Sequence, residues 1–114
     1  MVVKKGEIWW ASLEEPRGSE PGFRRPVVII SSNEFNKSKI QTVIVVAITS
    51  NIRLAEAPGN FKLTKKGSGL NRESVVNVSQ LLTLDKSFLN EKSGHLNTKQ
   101  NQLLNYGLQL ALNI

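Results

Sequence analysis

PVVIISSNEFNKSKIQTVIVVAIT, residues 26–49, holds two β-branched runs separated by a polar connector. The runs Pro26–Ser31 and Thr42–Thr49 are apolar at odd and even positions alike, as strands buried on both faces must be. They predict the central strands of a sheet, and a short polar connector joins such runs most simply as an antiparallel pair. If Ser31 faces Val43, Arg25 faces Thr49. Arg25 directly precedes Pro26, which biases its backbone toward the extended form. Thr49 is the first polar side chain after six apolar ones. A guanidinium and a hydroxyl therefore come side by side at the sheet rim. On spacing alone, the plainer reading that both residues merely mark strand ends is the favoured one.

Working outward, Glu7–Leu13 (EIWWASL) is aromatic-rich and stops at Glu14-Glu15-Pro16, which suits a first strand. The segment EEPRGSEPG that follows has neither helical nor strand periodicity, and its length points to a functional loop bordering the Arg25 end of the sheet. Beyond the central pair, Asn60–Thr64 and Ser74–Val78 predict shorter strands around a Lys65-Lys66-Gly67-Ser68-Gly69 turn, and Gln80–Asp85 adds another. Asn97-Thr98-Lys99-Gln100 has the form of a capping box, predicting a helix to about Leu112. Its buried stripe is Leu104, Leu108 and Ala111/Leu112, widened by Leu103, Tyr106 and Leu110. The fold class is mainly β, a small barrel or sandwich closed by one C-terminal helix.

At 114 residues the chain reads as a single domain, 1–114. Without cysteine it has no disulfide, thiolate zinc site or cysteine nucleophile, and the reducing cytoplasm is the expected compartment. His95 is its only histidine and Asp85 its only aspartate, so neither a histidine pair nor an aspartate cluster is available within one chain. The longest apolar run, Val43–Ile48, is far shorter than the ~20 residues of a membrane helix, and no membrane association is expected. A net charge of +6 points toward polyanions or an acidic protein. Residues 31–70 carry +4 of it, against +1 in each flanking part.

Chemistry without a histidine pair, a thiol or a metal cluster must rest on positioning and charge. Phosphodiester transesterification of RNA suits that constraint, because the 2′-OH nucleophile comes with the substrate. An arginine fork binds phosphate bidentately and stays charged at any working pH, which makes it a poor general acid. Modest turnover follows. Trp9, Trp10 and Phe23 are candidates for base stacking, with core packing claiming at least one of the two adjacent tryptophans. Lys62, Lys65 and Lys66 read as a solvated basic turn that also attracts RNA, and His95 as a boundary residue before the helix.

Taken in order, GEIWWASL, EPRGSEPGFRRPVVIIS, TVIVVAITSN and SVVNVSQLLTLDKSFL resemble the successive motifs of the MazF/PemK-type toxins of bacterial toxin–antitoxin systems. The resemblance implies an SH3-like barrel of the MazF/PemK/CcdB type with a C-terminal helix, acting as a homodimer. It also implies cofactor-free, metal-independent cleavage of single-stranded RNA, leaving a 2′,3′-cyclic phosphate and a 5′-OH, and control by an acidic antitoxin. By the same resemblance Arg25 and Thr49 match the catalytic pair. Ser19, Glu20 and Gly22 match a loop over the site, and Ser74 and Gln80 match polar positions near the RNA groove. Leu82 and Phe88 stand where relatives carry basic residues, and Arg24 beside Arg25 supplies part of that charge as a further substrate contact. The competing expectation is a non-catalytic toxin or binding module on the same barrel, directed at gyrase or nucleic acid.

Overall fold

The computed structural model describes residues 2–13 and 24–114. Within these residues six antiparallel strands form one curled sheet: β1 (Glu7–Ser12), β2 (Arg24–Ile29), β3 (Thr42–Thr49), β4 (Phe61–Leu63), β5 (Ser74–Asp85) and β6 (Leu89–His95). Their order across the sheet is β4-β5-β3-β2-β1-β6, so the two β-branched runs are central, as their patterning demands. One face of the sheet buries Ile8, Val28, Val46 and Ile48 with Leu104 and Leu108 of the C-terminal helix. The other buries Trp9, Ala11, Val27, Ile29, Val43 and Val45. Trp9 is thus a core residue, while its neighbour Trp10 on the opposite face is only partly covered.

Strand β3 has the bounds its sequence predicts, and β2 begins two residues earlier than Pro26, at Arg24. The runs Ser74–Val78 and Gln80–Asp85 are not two strands but one, β5. Its register against β3 jumps between Val46↔Leu81 and Ala47↔Asn77, and Val78–Gln80 bulge out there. The connector between β2 and β3 contains a short helix α1 (Asn33–Lys37), capped by the Ser32 side chain, that the sequence reading did not anticipate. Buried Asn36 anchors it by exchanging hydrogen bonds with Ser31, whose hydroxyl donates to Asn36 Oδ1 at 2.6 Å.

Strand β6 is also an addition. LNEKSGH offers one buried apolar residue, Leu89, because an edge strand has little to bury. The sheet curls until the turn after β4 meets this edge, where Ser93 Oγ donates to the Ser68 carbonyl at 2.8 Å. The approach is close enough that a side chain on Gly69, whose φ is +76°, would sit inside the Ser93 backbone. A side chain on Gly94 would collide with the carbonyls of Gly67 and Ser68. Among the described residues the barrel is therefore closed by a glycine-lined seam and not by strand pairing.

Helix α2 (Thr98–Leu112) has the full capping box, Gln100 N–H donating to Asn97 Oδ1 at 2.8 Å and Asn97 N–H to Gln100 Oε1 at 2.9 Å. It buries Leu104, Gly107 and Leu108. Leu103, Tyr106 and Leu110 do not widen that stripe. They stand exposed as a second apolar strip, and Ala111 and Leu112, at the far end of the predicted stripe, are exposed as well. No helix among the described residues is long and apolar enough to cross a membrane.

Candidate active site

Between β2 and β3 the paired residues are Val27↔Ala47, Val28↔Val46 and Ile29↔Val45. Carried two residues further, that register sets Arg25 opposite Thr49, the pairing expected from the sequence. Both residues border an open cleft of about 290 Å³ at the rim of the sheet. Trp10, Arg24 and Pro26 form its near wall, and Leu70–Arg72 with Ser74 its far wall.

The local chain fixes the groups. Thr49 is buried, and its Oγ1 accepts from the Asn51 backbone N–H at 3.1 Å. One lone pair is thereby used, leaving the hydroxyl proton to donate elsewhere. Asn51 in turn caps the turn at Ile52–Glu56, its Oδ1 accepting from Arg53 N–H, so the chain leaving Thr49 is pinned. Arg25 is partly buried at the start of β2, with Pro26 fixing the backbone next to it. Arg24, on the other face of the strand, lies with its Cζ 4.8 Å from the Trp10 ring centroid. Its Nη2 meets Glu91 Oε1 of β6 at 2.6 Å.

Of the residues singled out in the sequence, Trp10, Arg24, Arg25, Thr49 and Ser74 share this cleft. Ser74 is buried and its hydroxyl donates to the Arg72 carbonyl at 3.2 Å, so it shapes the wall. Gln80 does not line the cleft. It sits exposed at the β5 bulge, where its Oε1 accepts from Asn77 Nδ2 at 3.2 Å. Ser19, Glu20 and Gly22, like Phe23, lie outside the described residues. Lys62, Lys65 and Lys66 are exposed along β4 and the turn after it and do not line the cleft. Leu82 is half-buried and packs against the core containing Trp9, while Phe88 is exposed. His95 is exposed at the end of β6.

Two contributors escaped the sequence reading. Arg72 lies in a polar connector whose path to the cleft depends on the whole barrel curling. Glu91 belongs to the edge strand that has no apolar signature. Three arginines among the described residues border the cleft, and with Arg24 offset by Glu91 its positive charge comes chiefly from Arg25 and Arg72. Among the described residues no three His, Cys, Asp or Glu side chains converge to hold a metal ion. The buried carboxylate among the described residues is Glu7, which lies elsewhere in β1. Burial works to raise its pKa, but hydrogen bonds from Lys92, the Lys4 N–H and the Trp9 indole, with the Lys92 charge, outweigh burial and hold it below the usual 4.5.

Residues 4–112 match the model of a family described as PemK-like, MazF-like toxin of type II toxin-antitoxin system. The chain is similar to the endoribonuclease MazF6 of Mycobacterium tuberculosis (strain H37Rv), 41% identical over 114 residues and all of both chains. It is similar to the endoribonuclease EndoA of Bacillus subtilis, 36% identical over 112 residues, covering 98% of this chain and 96% of that one. Its backbone resembles a solved endoribonuclease in complex with its cognate antitoxin from a mycobacterial species. That match has a TM-score of 0.82 at 21% identity and covers 99% of this chain and 97% of the other.

Proposed function

The chain belongs to the PemK-like, MazF-like toxins of type II toxin–antitoxin systems, and from that premise we propose that it is an endoribonuclease whose reaction runs between Arg25 and Thr49. The observation that carries the reading is the meeting of a guanidinium and an oriented hydroxyl at one open cationic cleft.

In this reaction the 2′-oxygen of the nucleotide before the cut attacks the adjacent phosphorus, giving up its proton to water. The P–O5′ bond breaks, and the departing oxygen takes a proton from solvent. The products are a 2′,3′-cyclic phosphate and a 5′-OH. Charge gathers on the non-bridging oxygens at the transition state, where the Arg25 fork gives two parallel donors and the Thr49 hydroxyl a third. Arg25 acts as an electrostatic clamp and not as a proton donor. Arg72 faces the same cleft and adds to the field that draws in a single-stranded RNA.

The active species is a homodimer acting in the cytoplasm. The strip of Leu103, Tyr106 and Leu110 on α2 supports a dimer, since an apolar strip of this kind is what a second protomer covers. The +6 charge suits an acidic antitoxin that competes for the RNA surface. The reading is tested by incubating the protein with a long RNA in excess EDTA, beside a substrate carrying deoxyribose at a mapped cleavage position. Cleavage of the first and survival of the second is the expected result. Equal cutting of both would rule out attack by the 2′-OH, and no cutting in EDTA would rule out the metal-independent reaction.

A further inference from the structure

Arg24 looks from its sequence position like one more phosphate contact beside Arg25, but its surroundings are different. Its guanidinium lies over the Trp10 indole with Cζ 4.8 Å from the ring centroid, within the range of a cation–π contact. Nη2 is held at 2.6 Å by the Glu91 carboxylate, which offsets its charge. The three side chains come from three adjacent strands. Trp10 of β1 is paired with Pro26 of β2 on one side and with Glu91 of β6 on the other. Arg24, two residues before Pro26, projects from the same face. The Arg24 side chain is 47% exposed, so the guanidinium surface turned away from the indole is open to solvent. Both Trp10 and Arg24 line the cleft that contains Arg25 and Thr49.

A planar cation backed by an aromatic ring and fixed at its edge by a carboxylate is a poor clamp for a phosphate, because its donors are partly spent and its charge is offset. It is a good platform for a flat ring. Unpaired bases stack on aromatic rings and on guanidinium planes alike. We propose that Trp10, Arg24 and Glu91 form a base-stacking station, which receives one unpaired nucleobase of the RNA next to the scissile phosphate, in the order indole, guanidinium, base. Arg24 thus selects how the strand lies while Arg25 handles the phosphate. Glu91 is a positioning residue that holds the guanidinium over the indole. The inference rests on the ribonuclease reading above.

The test uses an RNA oligonucleotide spanning a mapped cleavage position, made uncleavable by a 2′-O-methyl group at the scissile nucleotide. Abasic sites are introduced one at a time at the nearest positions on either side. With the wild-type protein, one abasic position should weaken binding roughly five- to 150-fold, the range of a single stacked base. In Arg24→Ala that penalty should vanish at that position and stay unchanged at the others. Arg24→Lys keeps the charge and loses the plane, and should behave as Arg24→Ala does. Glu91→Gln should reduce the penalty without abolishing it. The proposal is overturned if the abasic penalties are the same in Arg24→Ala and wild type, or if Arg24→Lys retains the full penalty. It is overturned equally if Arg24→Ala lowers binding uniformly with a shallower salt dependence, the mark of a phosphate contact. Failure of the wild-type protein to cut or bind the unmodified RNA would instead sink the ribonuclease reading, so the two failures are told apart.

Discussion

Replacing Glu7 by glutamine probes the best-defined electrostatic feature of the chain. Glu7 Oε1 accepts from the Lys4 N–H at 2.9 Å and from the Trp9 indole at 3.1 Å, and Oε2 meets Lys92 Nζ at 2.9 Å. In Glu7→Gln the amide oxygen can keep both contacts of Oε1, while its NH2 group faces the ammonium. The loss is one charge-assisted hydrogen bond, ~1.5–3 kcal/mol in general. It is discounted because the Lys92 side chain is 46% exposed and can turn to water. The expected cost is about 1–2 kcal/mol at pH 7, or a fall in Tm of roughly 4–8 °C at fixed protein concentration. Glu7→Leu also strands the buried indole N–H and should cost about 1–3 kcal/mol more. The sign of the pH dependence follows from the depressed pKa of the carboxyl. The unfolded chain binds the proton more readily, so the stabilisation is fully present above the ordinary value of 4.5 and is lost as pH falls through the folded value beneath it. Urea titrations of both proteins between pH 7 and pH 3 should therefore converge in acid. Equal stability at neutral pH, or a gap that stays undiminished in acid, would refute the reasoning.

Arg25→Ala should reduce single-turnover cleavage by about 2.7–4 kcal/mol of transition-state stabilisation, if it acts as an oxyanion donor does. Arg25→Lys should rescue poorly and Thr49→Ala should cost somewhat less, and a folded Arg25→Ala cutting at the wild-type rate would dismiss the assignment. Gly69→Ala forces a side chain into a left-handed backbone and into Ser93, and should cost about 2–5 kcal/mol in denaturant unfolding. A change under about 1 kcal/mol would mean that the seam yields freely. An acidic antitoxin and RNA should each weaken the other's binding to an inactive Arg25 variant by the same factor. Its association rate should fall steeply toward physiological salt, as screening shortens to ~8 Å. Simultaneous independent binding would refute a shared surface.

The central strands were legible because burial on both faces leaves no choice of residue type: Thr42–Thr49 could be delimited to the residue, and the Arg25–Thr49 facing followed from one assumed register. The capping box of α2 was legible because Asn97 and Gln100 satisfy each other locally. Strand β6 was not, since an edge strand with one buried side chain has the composition of a loop. With it went Glu91, and so the reason Arg24 behaves unlike Arg25. Helical spacing draws the stripe on α2 too wide, because it marks apolar faces without saying which of them this chain covers by itself. Leu103 and Tyr106 carry the same signal as Leu104 and Leu108 and face outward. The bulge at Val78–Gln80 merges two predicted strands into one. It also leaves Gln80 hydrogen-bonded to Asn77 away from the cleft, a matter of tertiary register that no local pattern records.

A curled sheet whose ends do not pair has two free edges, each a template onto which another extended chain can add. Here neither is inviting. Strand β4 is three residues long with exposed Lys62 at its centre, too short to nucleate a ladder. Against β6 the turn at Gly67–Gly69 is wedged, with backbone lying on backbone where an incoming strand would have to form its ladder. The glycines of the seam thus guard against runaway strand addition, and a bulkier residue there would unfasten the barrel and uncover an aggregation-prone border in the same stroke.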